Sequence, residues 1–224
     1  MAKSFQKPDG RAGFYPFSVM KDNKNNIIFT SIENPDLNTV LTQIYKVSQS
    51  GELIWRNDLL DNNDGGKYNK GLVDDENNYI FVGASSRSHP DPYDIHSIGV
   101  SAYDVDIVKI NENGNLIFQK YYGLVNNESA IDIIRYGDRY LLLCNQEMDI
   151  FNEKIWLINI DKKGDKISEK FINMDKRQFY GNKFIKTENN DIFLVGSAGY
   201  WTGFTWPYIG KNIQKAMFLK LGKL

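Results

Sequence analysis

Short runs of β-branched and aromatic residues, each bounded by a cluster of Asn, Asp and Gly, recur along the whole chain. Apolar positions alternate with polar ones or form brief continuous runs, and a period of three to four residues is nearly absent. Alternation is typical of half-buried strands, whereas the longer period is typical of helices. The pattern predicts an all-β protein of short strands joined by tight turns.

A polar turn followed by an apolar strand occurs four times. Aligned on Ile27, Tyr79, Tyr140 and Ile192, the copies are separated by 52, 61 and 52 residues. They read NNIIFTS (25–31), NNYIFVGA (77–84), DRYLLLCN (138–145) and NDIFLVGSA (190–198). Regular recurrence at this spacing indicates a repeat architecture.

A second motif follows each copy of the first, as a strand, a Gly-containing turn and a returning strand. Its copies are YKVSQSGELIWR (45–56), VKINENGNLIFQK (108–120), INIDKKGDKISEK (158–170) and the final FLKLGKL. Gly51, Gly114 and Gly164 are predicted to adopt the positive φ that such turns need. A weaker strand precedes each first motif, so each unit is predicted to hold four strands in two hairpins.

Four such units predict a four-bladed β-propeller of antiparallel blades, as a single domain over residues 1–224. The blades are predicted at 11–60, 66–122, 129–171 and 181–224. The last unit stops where its fourth strand should begin, and Phe5-Gln6-Lys7 repeats Phe118-Gln119-Lys120 of the second unit. Strand 3–8 is therefore predicted to pair with 216–221 and close the ring, which would remove open sheet edges. Chance similarity of three residues is the alternative.

The segments YIFVGASS (79–86) and DIVKINENGNLIFQKYYG (106–123) resemble the SBBP-type repeats of bacterial β-propeller proteins. The resemblance extends, at the level of pattern, over nearly the whole chain. The third unit departs from it with Cys144, and the first with Thr30-Ser31. The resemblance implies the propeller fold; it implies no shared activity and transfers no catalytic residue.

Charge and composition exclude several classes of protein. The formal net charge is −1, from 27 basic and 28 acidic residues, which argues against a nucleic-acid partner bound through its phosphates. No apolar run approaches the roughly 18 residues of a membrane helix, so no membrane partner is expected. The chain is predicted to be soluble, either cytoplasmic or exported with its signal removed. The single cysteine, Cys144, forbids an internal disulfide, and its apolar neighbours predict a buried, inert thiol.

Long connections are predicted on one side of the blades and minimal turns on the other. The long ones are 32–39, 84–104, 146–153 and 197–216 between the second and third strands, and 57–68, 123–129 and 172–181 between blades. Binding residues concentrate in long loops on rigid scaffolds. Both histidines, His89 and His96, and the tryptophans Trp201 and Trp206 fall in these loops, so the ligand site is predicted there.

The stretch YWTGFTWPY (200–208) carries five aromatic residues. They are Tyr200, Trp201, Phe204, Trp206 and Tyr208. Aromatic faces stack on sugar rings, bases or apolar side chains, so the stretch is a candidate ligand platform. A plug that folds back over the ring and a contact for a protein partner are the alternatives.

The stretch RSHPDPYDIH (87–96) adds Arg87, His89, Tyr93 and His96 to the candidate ligand-binding set. In this prediction Arg87 and the histidines orient polar or anionic groups; a solvated loop is the alternative. The spacing matches no short metal motif, and DNNDGG (61–66) lacks the EF-hand register because Leu72 stands at position twelve. No metal and no cofactor is predicted.

The leading functional hypothesis is a non-enzymatic module that binds a carbohydrate or another small polar ligand on the long-loop side. An interaction or inhibitor protein that uses the same side is the second hypothesis. The third is a glycan hydrolase or lyase with a carboxylate pair, for which the candidates are Asp94, Asp104, Glu147 and Asp149. A monomer is predicted, with a strand-exchanged dimer as the alternative.

Overall fold

The computed structural model describes residues 14–33, 41–59, 67–86, 103–123, 126–149, 152–173, 178–202 and 211–222. These residues form fifteen β-strands and the turns between them. No helix occurs in the described ranges, and so none there is long and apolar enough to cross a membrane. The strands divide between two compact units, within residues 1–122 and 123–224.

The first unit contains two four-stranded antiparallel sheets, each with its strands in chain order. The first sheet consists of β1 (Phe14–Lys21), β2 (Ile27–Glu33), β3 (Leu41–Val47) and β4 (Leu53–Leu59). The second sheet consists of β5 (Lys67–Val73), β6 (Tyr79–Ser86), β7 (Tyr103–Ile110) and β8 (Leu116–Tyr122). The buried core between them comprises Ile28, Ile44, Leu59, Tyr68, Tyr79, Phe81, Val108 and Ile110.

The second unit contains a four-stranded and a three-stranded antiparallel sheet. The first of these consists of β9 (Asn127–Tyr136), β10 (Arg139–Asp149), β11 (Asn152–Ile160) and β12 (Lys166–Ile172), and the second of β13 (Gln178–Lys186), β14 (Ile192–Thr202) and β15 (Lys211–Leu221). Their shared core comprises Leu141, Leu143, Ile155, Leu157, Phe179, Phe184, Ile192 and Leu194. The fourth strand predicted for the last sheet, residues 3–8, lies outside the described residues, and ring closure stays a prediction.

Each sheet has a β-bulge at the same place on its first strand. One extra residue lies between Pro16 and Val19, Tyr68 and Lys70, Ala130 and Asp132, and Gly181 and Lys183. The partner residues are Ser31, Gly83, Cys144 and Gly196, each four positions after the residue on which the sequence motif aligns. A bulge bends its strand and redirects the side chains beyond it. The first strand of each sheet therefore bends at the equivalent position of the repeat.

The tight turns have the chemistry that the sequence predicts. Gly51, Gly114 and Gly164 have φ of 77°, 87° and 78°. In four of the turns an Asp or Asn side chain accepts hydrogen bonds from the backbone N–H groups two and four residues later; these are Asp22, Asp74, Asn111 and Asp161. Such side-chain bonds replace backbone partners that a turn lacks, which explains the Asn and Asp clusters in the sequence.

The hairpins on the opposite side are longer than the sequence predicts. The connections predicted at 146–153 and 197–216 are strand at both ends, because β10 continues to Asp149, β11 begins at Asn152, and β14 and β15 pair as far as Thr202 and Lys211. Backbone ladder bonds do not require apolar side chains, so the pairing extends through polar residues. The loops that remain are therefore shorter, and the residues at their edges lie on rigid strands.

Candidate functional site

A pair of glutamates lies at the end of the β10–β11 hairpin, on the side where the long connections are. Glu147 and Glu153 are directly opposite each other in the antiparallel ladder. Side chains at such positions have Cβ atoms roughly 4.5–5.5 Å apart. Glu147 is exposed, whereas Glu153 is 6% exposed. The hairpin thus places one solvated and one desolvated carboxyl group side by side.

The hydroxyl of Tyr180, on the neighbouring sheet, donates a hydrogen bond to Oε1 of Glu153. The other carboxyl oxygen, Oε2, has no hydrogen-bond partner among the described residues. A buried acceptor that is left without a donor is unfavourable by about 1–3 kcal/mol. We refer to Glu147, Glu153 and Tyr180 together as the acidic site.

The β13 bulge holds Tyr180 in reach of Glu153. Asn145 accepts a hydrogen bond from the backbone N–H of Gly181 at 2.8 Å and donates one to the Gly181 carbonyl at 3.1 Å. The same glycine lies against Leu143, whose Cδ1 would be 2.6 Å from an added Cβ. These two hydrogen bonds and the close approach of Leu143 fix the backbone next to Tyr180. The Tyr180 hydroxyl therefore reaches across to β11.

Burial raises the pKa of the Glu153 carboxyl, and the negative charge of Glu147 raises it further. The hydrogen bond from Tyr180 acts in the opposite direction and does not cancel these effects. The pKa of the Tyr180 hydroxyl is also raised, by burial first and then by its bond to Glu153. Glu153 therefore retains a proton at a pH where an ordinary glutamate has lost it, and Tyr180 stays a neutral donor.

A second buried glutamate lies one position before the pair in the ladder. Glu128 is 0% exposed and accepts a hydrogen bond of 2.9 Å from Nε2 of Gln146. Gln146 is adjacent to Glu147, and successive residues of a strand project to opposite faces. Glu128 and Gln146 therefore support β9 and β10 from the other face and are not part of the acidic site.

The first unit contains a superficially similar group that is closed by its own hydrogen bonds. The Tyr68 hydroxyl donates to Asp106 at 2.8 Å, and Nε2 of Gln119 approaches both carboxyl oxygens of Asp106 at 3.3 and 3.2 Å. Both oxygens of this carboxyl group have donors within the protein. This contrast identifies Asp106 as a structural carboxylate, whereas Oε2 of Glu153 has no donor among the described residues.

The structure describes few of the residues predicted for the site. Tyr200 and Trp201 lie on β14, where their backbones pair with Ile213 and Asn212, and not in a loop as the sequence predicts. The other predicted residues lie outside the described ranges: Arg87, His89, Tyr93, His96, Phe204, Trp206 and Tyr208. Among the described residues, no three His, Cys, Asp or Glu side chains are grouped so as to hold a metal ion.

Of the predicted carboxylates whose side chains the structure describes, Glu147 lies in the acidic site and Asp104 does not. Asp104 is 5% exposed on β7 of the first unit, Asp94 is outside the described residues, and Asp149 ends β10. Sequence reasoning missed Glu153 and Tyr180. The signal for Glu153 was present, since treating 146–153 as a continuous hairpin places Glu147 opposite Glu153; no sequence signal placed Tyr180 there.

Comparison with known proteins supports the fold. No protein-family model matches the chain, and no curated protein matches it in sequence; the SBBP-type resemblance thus stays a prediction. Among solved structures, this chain is similar to a GH93 α-L-arabinofuranosidase of Fusarium graminearum in complex with arabinobiose. The identity is 13% and the TM-score 0.62, and the match covers 94% of this chain and 63% of that one. It is also similar to a mannose phosphorylase from Leishmania mexicana (12%, TM-score 0.50, 98% and 67%) and a xylan β-1,4-xylosidase from Bacillus halodurans (16%, TM-score 0.50, 94% and 42%).

These likenesses, together with the antiparallel sheets, confirm the predicted all-β propeller class. At 12–16% identity they concern the fold alone. The chain spans less than two thirds of the length of the arabinofuranosidase and of the xylosidase. All three of these proteins carry carbohydrate-related names.

Proposed function

We propose that the protein binds a carbohydrate at the long-loop side of its second unit, with the acidic site as the polar centre. The observation that carries this proposal is the buried Glu153, whose Oε2 has no hydrogen-bond partner among the described residues. Sugar hydroxyls are both donors and acceptors, and a desolvated carboxyl oxygen gains most from a ligand that supplies a donor. Likeness of fold to three proteins named for carbohydrate chemistry supports the same class of ligand.

The predicted aromatic platform supports the proposal from the same sheet. Tyr180 pairs with Ser197 on β14, and Trp201 lies four residues further along that strand. At about 3.3 Å per residue, Trp201 is roughly 13 Å beyond the level of Tyr180. Trp201, with Trp206 and Tyr208 in the following segment, is proposed to stack on sugar rings while the acidic site binds their hydroxyls.

Hydrolysis of a glycan is the second candidate function, and the glutamate pair favours it. Glu147 and Glu153 face each other across the ladder, and glycosidases use two carboxyl groups roughly 5–10 Å apart. The raised pKa of Glu153 is what a general acid needs. Binding without turnover remains the leading proposal because it requires only the open acceptor.

A glycan array followed by calorimetry tests the proposal. Wild type is expected to bind at least one oligosaccharide on the array, and Glu153→Gln and Trp201→Ala are expected to weaken that binding at least tenfold. Glu188→Gln is the matched control, because Glu188 is an exposed residue of the β13–β14 turn at the other end of the same sheet.

Full affinity in both Glu153→Gln and Trp201→Ala would overturn the proposed site. Release of reducing ends from the bound oligosaccharide, lost in Glu147→Gln and Glu153→Gln, would assign hydrolysis. Copurification of a stoichiometric protein with wild type, together with an empty array, would favour the interaction hypothesis over both.

A further inference from the structure

The charges of the acidic site indicate which carbohydrates it takes, an inference that rests on the proposed function. We propose that the site selects neutral, hydroxyl-rich sugars and excludes sugars that carry a carboxylate, sulfate or phosphate on the ring that contacts Glu153. Three features of the described residues support this selectivity: the uncompensated charge, the open acceptor, and the direction of the tyrosine hydrogen bond.

No described lysine or arginine forms an ion pair with Glu147 or Glu153. Lys154 is next to Glu153 in the chain, but it pairs with Gln146 across the ladder and so belongs to the opposite face. An anionic group brought to this site would meet the negative charge of Glu147 next to the buried Glu153, and like charges repel more strongly in a partly desolvated setting than in water. A neutral hydroxyl group does not incur this repulsion.

When Glu153 is ionised, its buried Oε2 is an acceptor that lacks a hydrogen-bond donor among the described residues. Sugar hydroxyls supply donors, whereas ionised carboxylate, sulfate and phosphate groups offer acceptors only. An anionic sugar that placed its charged group here would leave the buried oxygen unsatisfied and add a second unsatisfied acceptor. The pairing of donors with acceptors therefore selects in the same direction as the charge.

Tyr180 adds a further acceptor. Its hydroxyl proton is engaged with Glu153, so the lone pairs of the hydroxyl oxygen are what it presents to a ligand. The acidic site as a whole offers acceptors, from Glu147, Glu153 and Tyr180. A ring with several free hydroxyl groups matches this arrangement. The prediction from sequence that Arg87 and the histidines orient anionic groups leads to the opposite selectivity, and the experiment separates the two.

The test compares matched sugars. The neutral oligosaccharide that binds wild type best on the array is titrated by calorimetry beside its counterpart in which C6 of each ring is a carboxylate, as galactose and galacturonate trisaccharides are matched. At low ionic strength the acidic counterpart is expected to bind at least about tenfold more weakly. The ratio of the affinity for the neutral sugar to that for the acidic sugar is expected to fall in 0.5 M salt, because salt screens the repulsion.

The double variant Glu147→Gln/Glu153→Gln tests whether the two carboxylates set this affinity ratio. A purely structural role of these residues would leave the ratio unchanged. Its ratio of neutral to acidic affinity is expected to fall below about threefold, while Glu188→Gln keeps the wild-type ratio.

If the acidic sugar binds wild type as well as the neutral one or better, the selectivity is wrong and the proposed function stands. If the ratio is unchanged in the double variant, the acidic site does not set it and the inference is overturned. If wild type binds no sugar of either class, the proposed function fails and the inference fails with it.

Discussion

The hydroxyl of Tyr79 donates a hydrogen bond of 3.0 Å to Oδ2 of Asp22 and so joins the two sheets of the first unit. Lys46 completes a buried triad, since its ammonium lies 2.8 Å from the Tyr79 hydroxyl and 3.2 Å from the Asp22 carboxylate. All three residues are buried. Buried charges are tolerated when they are paired and hydrogen-bonded. Here the Tyr79 hydroxyl donates one of the hydrogen bonds to Asp22 and accepts one from Lys46.

Replacement of Tyr79 by Phe is expected to lower the free energy of unfolding by about 1–3 kcal/mol. The ring and its contact with Trp55 are retained, so the loss reports the hydroxyl alone. Urea denaturation measures it. Lys24→Ala is the control, because it removes an exposed ion pair with Glu112 and is expected to change stability by less than about 1 kcal/mol. Equal effects of the two substitutions would contradict the role of the triad.

Acid is expected to weaken the first unit through Asp22. Burial would raise the pKa of this carboxyl, but hydrogen bonds from Asn26, Lys46 and Tyr79 outweigh it and lower the pKa to about 2. The ionised form is thus favoured in the folded protein, and its contribution to stability is present above the ordinary pKa of 3.8. It is lost as the pH falls from 3.8 towards 2.

Asp22→Asn is expected to remove this loss, so that its unfolding midpoint depends less on pH between 4 and 2 than that of wild type. At pH 7 the variant is expected to be less stable by about 2–3 kcal/mol, because the lowered pKa is lost and the buried Lys46 loses its carboxylate partner. Urea denaturation as a function of pH measures both. Curves for variant and wild type that run parallel through this window would show that Asp22 is not responsible.

Gly83 has no room for a side chain. A Cβ there would lie 1.8 Å from the Lys67 carbonyl oxygen and 2.7 Å from the Tyr68 Cα, both of which are backbone atoms. Gly83→Ala is therefore expected to displace the β5 bulge and to cost more than about 2 kcal/mol of unfolding free energy. Gly222→Ala, where nothing lies within 4 Å of the added Cβ, is the control and is expected to stay within about 0.5 kcal/mol of wild type. Denaturation of both variants checks the prediction.

The strands and turns were predictable because their signals are local. Each NN or Gly turn sets its own φ, as at Asn77 and Gly114, and each adjoining apolar run forms a strand against its chain neighbour. The strand ends were not predictable from apolar pattern, because the β10–β11 ladder continues through the polar residues between Gln146 and Glu153. Hydrophobicity marks where a strand is buried and does not mark where its backbone pairing stops.

The candidate site was predictable only in part because it depends on contacts between sheets. Tyr180 and Glu153 are 27 residues apart, and their contact depends on the β13 bulge and on the bonds from Asn145 to Gly181. No spacing rule in the sequence encodes that contact. Glu147 and Glu153 both fall in the connection predicted at 146–153, but their pairing follows from the ladder that replaces this loop.

Cys144 is expected to be unreactive in the folded protein. It is 0% exposed, and burial raises the pKa of its thiol well above the usual value, with the Glu128 charge acting in the same direction. Thiolate is the reactive species, so labelling by iodoacetamide requires unfolding. Ser50→Cys places a second thiol in the exposed β3–β4 turn. Mass spectrometry is expected to show one rapid addition in that variant and none in native wild type; rapid labelling of wild type would place Cys144 at an accessible position.

Glu153 is expected to make stability fall as the pH rises, the reverse of the effect of Asp22. Burial first, and the Glu147 charge second, raise the pKa of its carboxyl above the ordinary 4.5 in the folded state. The folded protein therefore binds the proton more tightly than the unfolded chain. The resulting contribution is complete below pH 4.5 and is lost as the pH rises through the raised pKa.

Glu153→Gln cannot ionise, so its stability relative to wild type is expected to increase across this range. Urea midpoints from pH 4 to 8 measure the difference, with Glu188→Gln expected to parallel wild type. A Glu153→Gln curve that also parallels wild type would show that the carboxyl is not desolvated, and the case for an open, buried acceptor at the acidic site would be lost.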